Sequence, residues 1–359
     1  RHYFVHGHTQ AGFFSVLPQL MKQLEAMFVL KGLSRRLADA FLHEMGNLYL
    51  EEGHAVDFIW HPSDAQKLEG IRLREKNIAV FHHELVEKVK ENLCEPRIVS
   101  LSFAKALDNE KKALHEEKIK LLEKERDDYY KKAYECFQEA KIFHEEKEKL
   151  YFPAIDFQKA DAVSNKLIKK IFPDEKQSKN ASPNEETLFF GAATPNGAVN
   201  FIESLTEGSK KRYIVKGRSG SGKSTLIRKI GAEAQKRGYN ITYFLCGFDP
   251  KSVDMLIIED LLISIFDGTS PHVIDPTRET DEVIDLFRLT MNQRVEEEKK
   301  AEIALLEQNY KQKMQQGTYY LQKAKQAHDV MDEYVETCFY KEKLQALLEA
   351  AKNQLLQAI

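Results

Sequence analysis

One stretch constrains this chain more than any other: Gly217-Arg218-Ser219-Gly220-Ser221-Gly222-Lys223-Ser224-Thr225. It meets the phosphate-binding pattern G-x-x-x-x-G-K-[ST] at every required position. Tyr213, Ile214 and Val215 before it form a β-branched and aromatic run that predicts a buried strand, and Leu226, Ile227 and Ile230 after it fall at helical spacing. A strand–loop–helix turn of this kind is the required context. Gly217, Gly220 and Gly222 let the backbone curl until several N–H groups face one phosphate. The helix opening near Lys223 adds its positive end, Lys223 reaches the terminal phosphates, and the Ser224 hydroxyl is a Mg²⁺ ligand. Residues 217–225 are therefore expected to bind a nucleoside triphosphate, ATP, with Mg²⁺.

Such a loop needs a carboxylate for the metal and its waters, usually at the end of an apolar strand. Leu262-Ile263-Ser264-Ile265-Phe266-Asp267 supplies that pattern, and Asp267 is expected to share Mg²⁺ with Ser224. Asp249 also follows a strand, but Asp249-Pro250 reads as a helix cap followed by proline at the first helical position. His272, Asp275 and Arg278 belong to the loop expected over the phosphates.

The chain repeats itself. An offset of 185 places Phe4, Thr9 and Gly12 on Phe189, Thr194 and Gly197, and Lys31-Gly32 on Lys216-Gly217. Gly46 falls on Gly231, Gly53 on Gly238 and Asp64 on Asp249, without a gap. Two α/β halves follow, each a mostly parallel sheet covered by helices on both faces. Residues 1–172 form one half, 173–186 a polar linker bounded by Pro173 and Pro183, and 187–359 the other half. Each half is expected to run strand, turn, strand, helix, strand, helix, strand.

The first copy of the loop is degenerate. Ala38 stands where Lys223 would be, Asp39 for Ser224, Arg35 for Gly220, Leu37 for Gly222 and His82 for Asp267. The groups that phosphate chemistry needs are gone together, which predicts a half without nucleotide chemistry. His6, His8 and His82 should lie along one sheet edge there, where a replacement metal site is conceivable.

Both halves end in helical arms, 103–172 and 288–359. In the first, Leu107, Leu114 and Leu121 repeat at seven, and Tyr130, Ala133, Phe137 and Ala140 continue at three-four spacing. The second is broken only by Gly317. Each arm is expected to double back through a return helix, near 157–172 and 340–355. Dense Lys and Glu predict a solvated face, with a protein-binding surface as the alternative.

The net charge of −3 argues against a dedicated nucleic-acid binder. No apolar run approaches a membrane span, the richest (255–266) being broken by Glu259 and Asp260. Cys94, Cys136, Cys246 and Cys338 show no CxxC spacing, so reduced thiols and a cytoplasmic location are expected.

These motifs resemble an uncharacterised family of tandem P-loop ATPase-like proteins of Bacillus-type bacteria. The matching stretches are Phe189-Phe-Gly-Ala-Ala-Thr-Pro-Asn-Gly-Ala198, Tyr213 to Thr225, Cys246-Gly-Phe-Asp-Pro250 and Phe266-Asp-Gly-Thr-Ser-Pro-His272, with Phe4 to Ser15 and Lys31-Gly32 in the first half. The resemblance implies a duplicated P-loop fold and ATP binding, without naming a substrate; the family's first half commonly keeps its own loop, which this chain has lost. Three functions remain open: an ATPase that moves its halves or a partner, a small-molecule or nucleotide kinase, and a nucleotide-gated scaffold. The absence of arginine from 295 to 359 counts against the kinase, which stabilises transferring charge with arginines.

Overall fold

The computed structural model describes residues 1–89, 97–173, 178 and 182–359; Cys94 and half of the expected linker lie outside them. The first half opens with β1 (His2–Tyr3) and a hairpin of β2 (His6–Thr9) and β3 (Gly12–Ser15), then α1 (Leu17–Met21). It continues through β4 (Ala26–Lys31), α2 (Arg35–Glu51), β5 (Val56–His61), β6 (Asp64–Leu73), β7 (Ile78–His82), α3 (His83–Val89) and β8 (Arg97–Ser102). Two helices close it, α4 (Asn109–Tyr151) and α5 (Phe157–Ile171). The second half repeats the order with β9 (Glu185–Phe189), β10 (Gly191–Thr194), β11 (Gly197–Asn200), α6 (Ile202–Leu205), β12 (Lys211–Lys216) and α7 (Lys223–Lys236). Then come β13 (Ile241–Leu245), β14 (Val253–Ile258), β15 (Ile263–Asp267), β16 (Asp281–Asp285), the short helices α8 (Leu286–Thr290) and α9 (Val295–Glu298), and the long α10 (Lys300–Thr337) and α11 (Lys341–Gln357).

Each half carries a six-stranded mixed sheet, and the two orders correspond strand for strand: β1-β5-β6-β7-β4-β8 and β9-β13-β14-β15-β12-β16. Three neighbour pairs in each are parallel and two antiparallel. The antiparallel pairs correct one expectation. Where a helix was predicted between the third and fourth strands, β6 and β14 are inserted instead. In the second half the reason lies in the run 255–266, whose apolar stretches on either side of Glu259 and Asp260 leave no wet face of the kind a surface helix must show. It folds as two buried strands about a tight 259–261 turn, closed by Leu262 at φ 55°. Asn77 at φ 50° makes the same reversal in the first half.

The halves share one hydrophobic core. Phe4, Met27 and Phe81 belong to the same buried cluster as Phe189, Ile214 and Phe266. At its centre Phe4 and Phe189, equivalent residues of the repeat, exchange both backbone hydrogen bonds, at 2.9 and 3.0 Å. The bridges Leu107–Phe339 and Ile155–Met291 are likewise each other's counterparts with the halves exchanged. Reciprocal contacts of this kind describe an approximate two-fold arrangement within one chain.

The arms obey the same exchange. α4 does not fold back along its own return helix; it pairs antiparallel with α10, as the contacts Phe137–Gly317, Glu139–Lys313 and Lys147–Glu307 show. Gly317 does not interrupt α10. It lets the helices approach so closely that a Cβ there would lie 2.3 Å from the Phe137 ring. Tyr130, Ala133, Phe137 and Ala140 are buried as their spacing predicts, whereas Leu114 and Leu121 of the heptad run are 81% and 58% exposed. The return helices cross over: α5 packs on α7 and α8, while Ala351 and Leu355 of α11 join a second, separate apolar cluster beside Phe41 and Tyr49 of α2. Among the described residues no helix is long and apolar enough to cross a membrane.

Candidate functional site

Residues 217–225 join the buried strand β12 to the amino end of α7. Gly217 is required by packing, since a Cβ there would meet Ser221 Oγ at 2.4 Å. Gly222 sits at the helix cap with φ 87°, a left-handed conformation that side chains disfavour, and no side chain caps the amides behind it. Ser221 Oγ is buried without a hydrogen-bond partner. The amino end of α7 thus presents unpaired donors toward a cavity of about 990 Å³ that all nine loop residues line.

The ionisable groups predicted from the sequence converge there. Lys223 Nζ donates to the carbonyl oxygens of Arg218 at 3.0 Å and Gly217 at 3.4 Å, and lies 3.5 Å from Asp267 Oδ2. Asp267, at the end of β15, also accepts from the Thr269 amide (2.9 Å) and hydroxyl (2.5 Å) through Oδ1. Ser224 Oγ accepts the Val253 amide at 3.0 Å, which leaves its own proton and a second lone pair uncommitted. Arg218 pairs with Glu296 and lies over the Phe287 ring at 4.7 Å.

The other candidates separate. His272 lines the cavity and is bonded to Asn200 at 3.1 Å, its pKa lowered by burial. Asp275 instead pairs with Lys216 at 3.0 Å, and Arg278 donates to the Thr206 carbonyl at 2.7 Å, both outside the cavity lining. Asp249 caps no helix. Its Oδ1 accepts the Lys251 amide at 3.1 Å in a turn leading into β14, and its Oδ2 binds Lys141 of α4 at 2.9 Å.

Two groups that sequence reasoning misses belong to the site. Asp254, at the start of β14, shares the cavity with Asp267, and burial together with repulsion from Asp267 pushes its pKa up to about 6. Its signal is a lone carboxylate in the apolar strand 253–258, matched by Glu69 at the same place in the first half. The second is Glu148 on α4, whose side chain packs on Gly220 and lies 3.4 Å from His144 Nε2. The first half's arm therefore roofs the second half's loop, with Tyr310 and Met314 of α10 beside it.

No family model, curated protein or solved structure matches the chain. In the first half, α2 begins at Arg35, the counterpart of Gly220, so the helix is wound three residues further than α7. Ser34 Oγ caps it by accepting the Leu37 amide at 3.2 Å, and Asp332 of α10 accepts the Arg35 amide at 3.1 Å. Asp39 Oδ1 accepts the Leu68 amide at 2.7 Å, the bond that Ser224 makes in the other half. The donors at this helix end are taken by the chain's own oxygens.

The histidines of the first half also sort differently from the expectation. His8 bonds Ser63 at 2.7 Å and Tyr134 at 2.9 Å, and His82 bonds the Leu33 carbonyl at 3.1 Å. His6 instead meets Glu69 and His61.

Proposed function

We propose that the second half binds a nucleoside triphosphate, ATP, with Mg²⁺ at residues 217–225 and hydrolyses it, and that the first half contributes structure and no chemistry. One observation carries this reading. Lys223, Ser224 and Asp267 surround a helix end whose donors have no partner, whereas the equivalent end in the first half is closed by Ser34 and Asp332. The orphaned Ser221 hydroxyl and the space kept by Gly217 fit an anion in the loop. Ser224 and Asp267 would hold Mg²⁺, which when bound neutralises charge on the phosphates. Lys223, released from the Arg218 and Gly217 carbonyls, would pair with the terminal phosphates. Asp254 would accept a hydrogen bond from a water beside them, and Glu148, packed on Gly220, would face an arriving anion. Because Glu148 belongs to α4, which pairs with α10, its contact with the loop favours an ATPase that shifts its arms. The resemblance to tandem P-loop ATPase-like proteins points the same way and rests on the same motifs.

A cavity extending past the loop to Tyr310 and Met314 favours a second reading, transfer to a small acceptor, over a pure scaffold. Phosphate release by the purified protein with ATP and Mg²⁺ separates them. Steady release without an acceptor is expected, acceptor-dependent ATP loss would make it a kinase, and binding without turnover would leave a nucleotide-gated scaffold. Asp267→Asn should retain ATP binding and lose Mg²⁺-dependent turnover; unchanged turnover would remove Asp267 from the role.

A further inference from the structure

We infer that the first half holds a divalent transition-metal ion, of the Zn²⁺ class, between His6, His61 and Glu69. The three come from separate strands: His6 opens β2, His61 ends β5 and Glu69 lies in β6. One donor atom from each lies within 4.8 Å of the other two. His6 Nε2 is 2.6 Å from Glu69 Oε2, and His61 Nε2 is 3.5 Å from Oε1 of the same carboxylate. All three are 1–2% exposed. Two imidazoles and a carboxylate are a donor set suited to Zn²⁺ and its first-row neighbours rather than to Mg²⁺ or Ca²⁺, which prefer oxygen throughout.

A carboxylate this deeply buried is costly unless positive charge answers it. The nearby guanidinium of Arg35 is already engaged by Glu84 at 2.8 Å, and the Lys88 ammonium lies over the Phe13 and Tyr130 rings. A divalent ion between the two imidazoles and the carboxylate would supply positive charge there. His6 Nε2 donates to Glu69 Oε2 at 2.6 Å, so an arriving cation must displace this proton, for which the buried, unpartnered Nδ1 is free. His61 asks more. Its Nδ1 accepts the Ser63 amide at 3.0 Å, which keeps the ring proton on Nε2. An arriving cation must displace that proton, and the Ser63 amide must release Nδ1, so binding should liberate protons and tighten as pH rises.

The repeat gives the cluster a second support. The positions equivalent to His6, His61 and Glu69 are Gly191, Cys246 and Asp254, which border the cavity of the other half or its strands. Among the described residues, His6, His61 and Glu69 are the one group of three with metal-ligand spacing. The half that lacks counterparts of Lys223, Ser224 and Asp267 thus carries two imidazoles and a carboxylate, brought together from the β2–β3 hairpin and the strands β5 and β6. Being closed from solvent, such an ion would stabilise the half rather than perform chemistry.

The test uses the full chain, stripped with a chelator, reloaded with Zn²⁺ and passed through gel filtration before metal analysis. One retained equivalent is expected, lost in Glu69→Gln and in His61→Asn and kept in Lys223→Ala. No retained ion in the wild-type protein overturns the proposal, as does equal retention in the Glu69 and His61 variants. Should those variants fail to fold, X-ray absorption at the zinc edge of the loaded wild-type protein decides. Two imidazoles in the first coordination shell support the site, and fewer overturn it.

Discussion

The loop after β12 and the loop after β4 occupy the same place in the same sheet, yet one helix starts at Lys223 and the other at Arg35. The difference is a matter of backbone freedom. Gly220 and Gly222 hold positive φ, and Arg35 and Leu37 at those positions are helical instead. Once the glycines are gone, the preceding residues wind into the helix, and the space that faced the cavity becomes helix surface. The arms show the corresponding contrast. α10 places Asp332 on the Arg35 amide and Glu336 on Ser34, whereas α4 brings Glu148 only against the wall of its loop. The two loops thus differ by more than their side chains: the helix end in the first half is filled in part by residues from the opposite half.

The contrast can be broken most strongly at Lys223. Lys223→Ala should weaken ATP binding by about 100-fold or more, the worth of charge-assisted contacts near 3 kcal/mol, without altering the circular dichroism spectrum. Calorimetric titration reads this directly, and unchanged affinity in a folded variant would defeat the nucleotide reading.

The link between halves is tested at Gly317. Gly317→Val puts a branched side chain where a Cβ alone already meets Phe137 at 2.3 Å, so the α4–α10 pair must separate. A loss of about 1–3 kcal/mol in urea unfolding is expected, with reduced turnover at Lys223, since Met314 and Thr318 beside Gly317 line the same cavity. Normal turnover with reduced stability would show that the arms do not support the site.

A smaller effect sharpens the account of the first half. Burial holds the His82 pKa down to about 4, and the ring donates to the Leu33 carbonyl. Below pH 6.5 the unfolded chain takes up a proton that the folded one refuses, so the stability present above that pH is lost as it falls toward 4. Between pH 6.5 and 5 the loss from this group is about 2 kcal/mol. His328, also held down to about 4 by burial, acts in the same direction, and Asp332, raised to about 6 by burial, opposes both. His82→Asn should therefore flatten the pH dependence by about 1–2 kcal/mol relative to wild type, read from denaturation at the two pH values. An identical slope would place the acid sensitivity elsewhere.

The smallest expected effect is none at all. Ala38→Lys restores the lysine but not the loop, because α2 stays wound from Arg35 and its amides stay capped by Ser34 and Asp332. ATP stoichiometry should remain at one per chain, and a second equivalent would show that the first half retains a usable cradle.

Local chemistry is legible in the amino-acid sequence alone. The glycine loop between a strand and a helix, the strand ending at Asp267, the offset of 185 and the loss of the loop in the first copy all depend on residues adjacent in sequence or repeated in it. So does the buried face at Tyr130, Ala133, Phe137 and Ala140, because helical spacing marks a face whatever covers it. Partners are not legible. Periodicity cannot say that α4 meets α10, that α5 and α11 exchange halves, or that Gly317 is a point of close approach rather than a break. The 255–266 run shows two buried segments without revealing that β14 enters antiparallel. Asp254 beside Asp267, Glu148 over Gly220, and Glu69 between His6 and His61 join residues from different strands and helices. Only the tertiary structure decides such meetings, because they follow from which apolar faces find each other across the whole chain, and a sequence pattern specifies a face without specifying its partner.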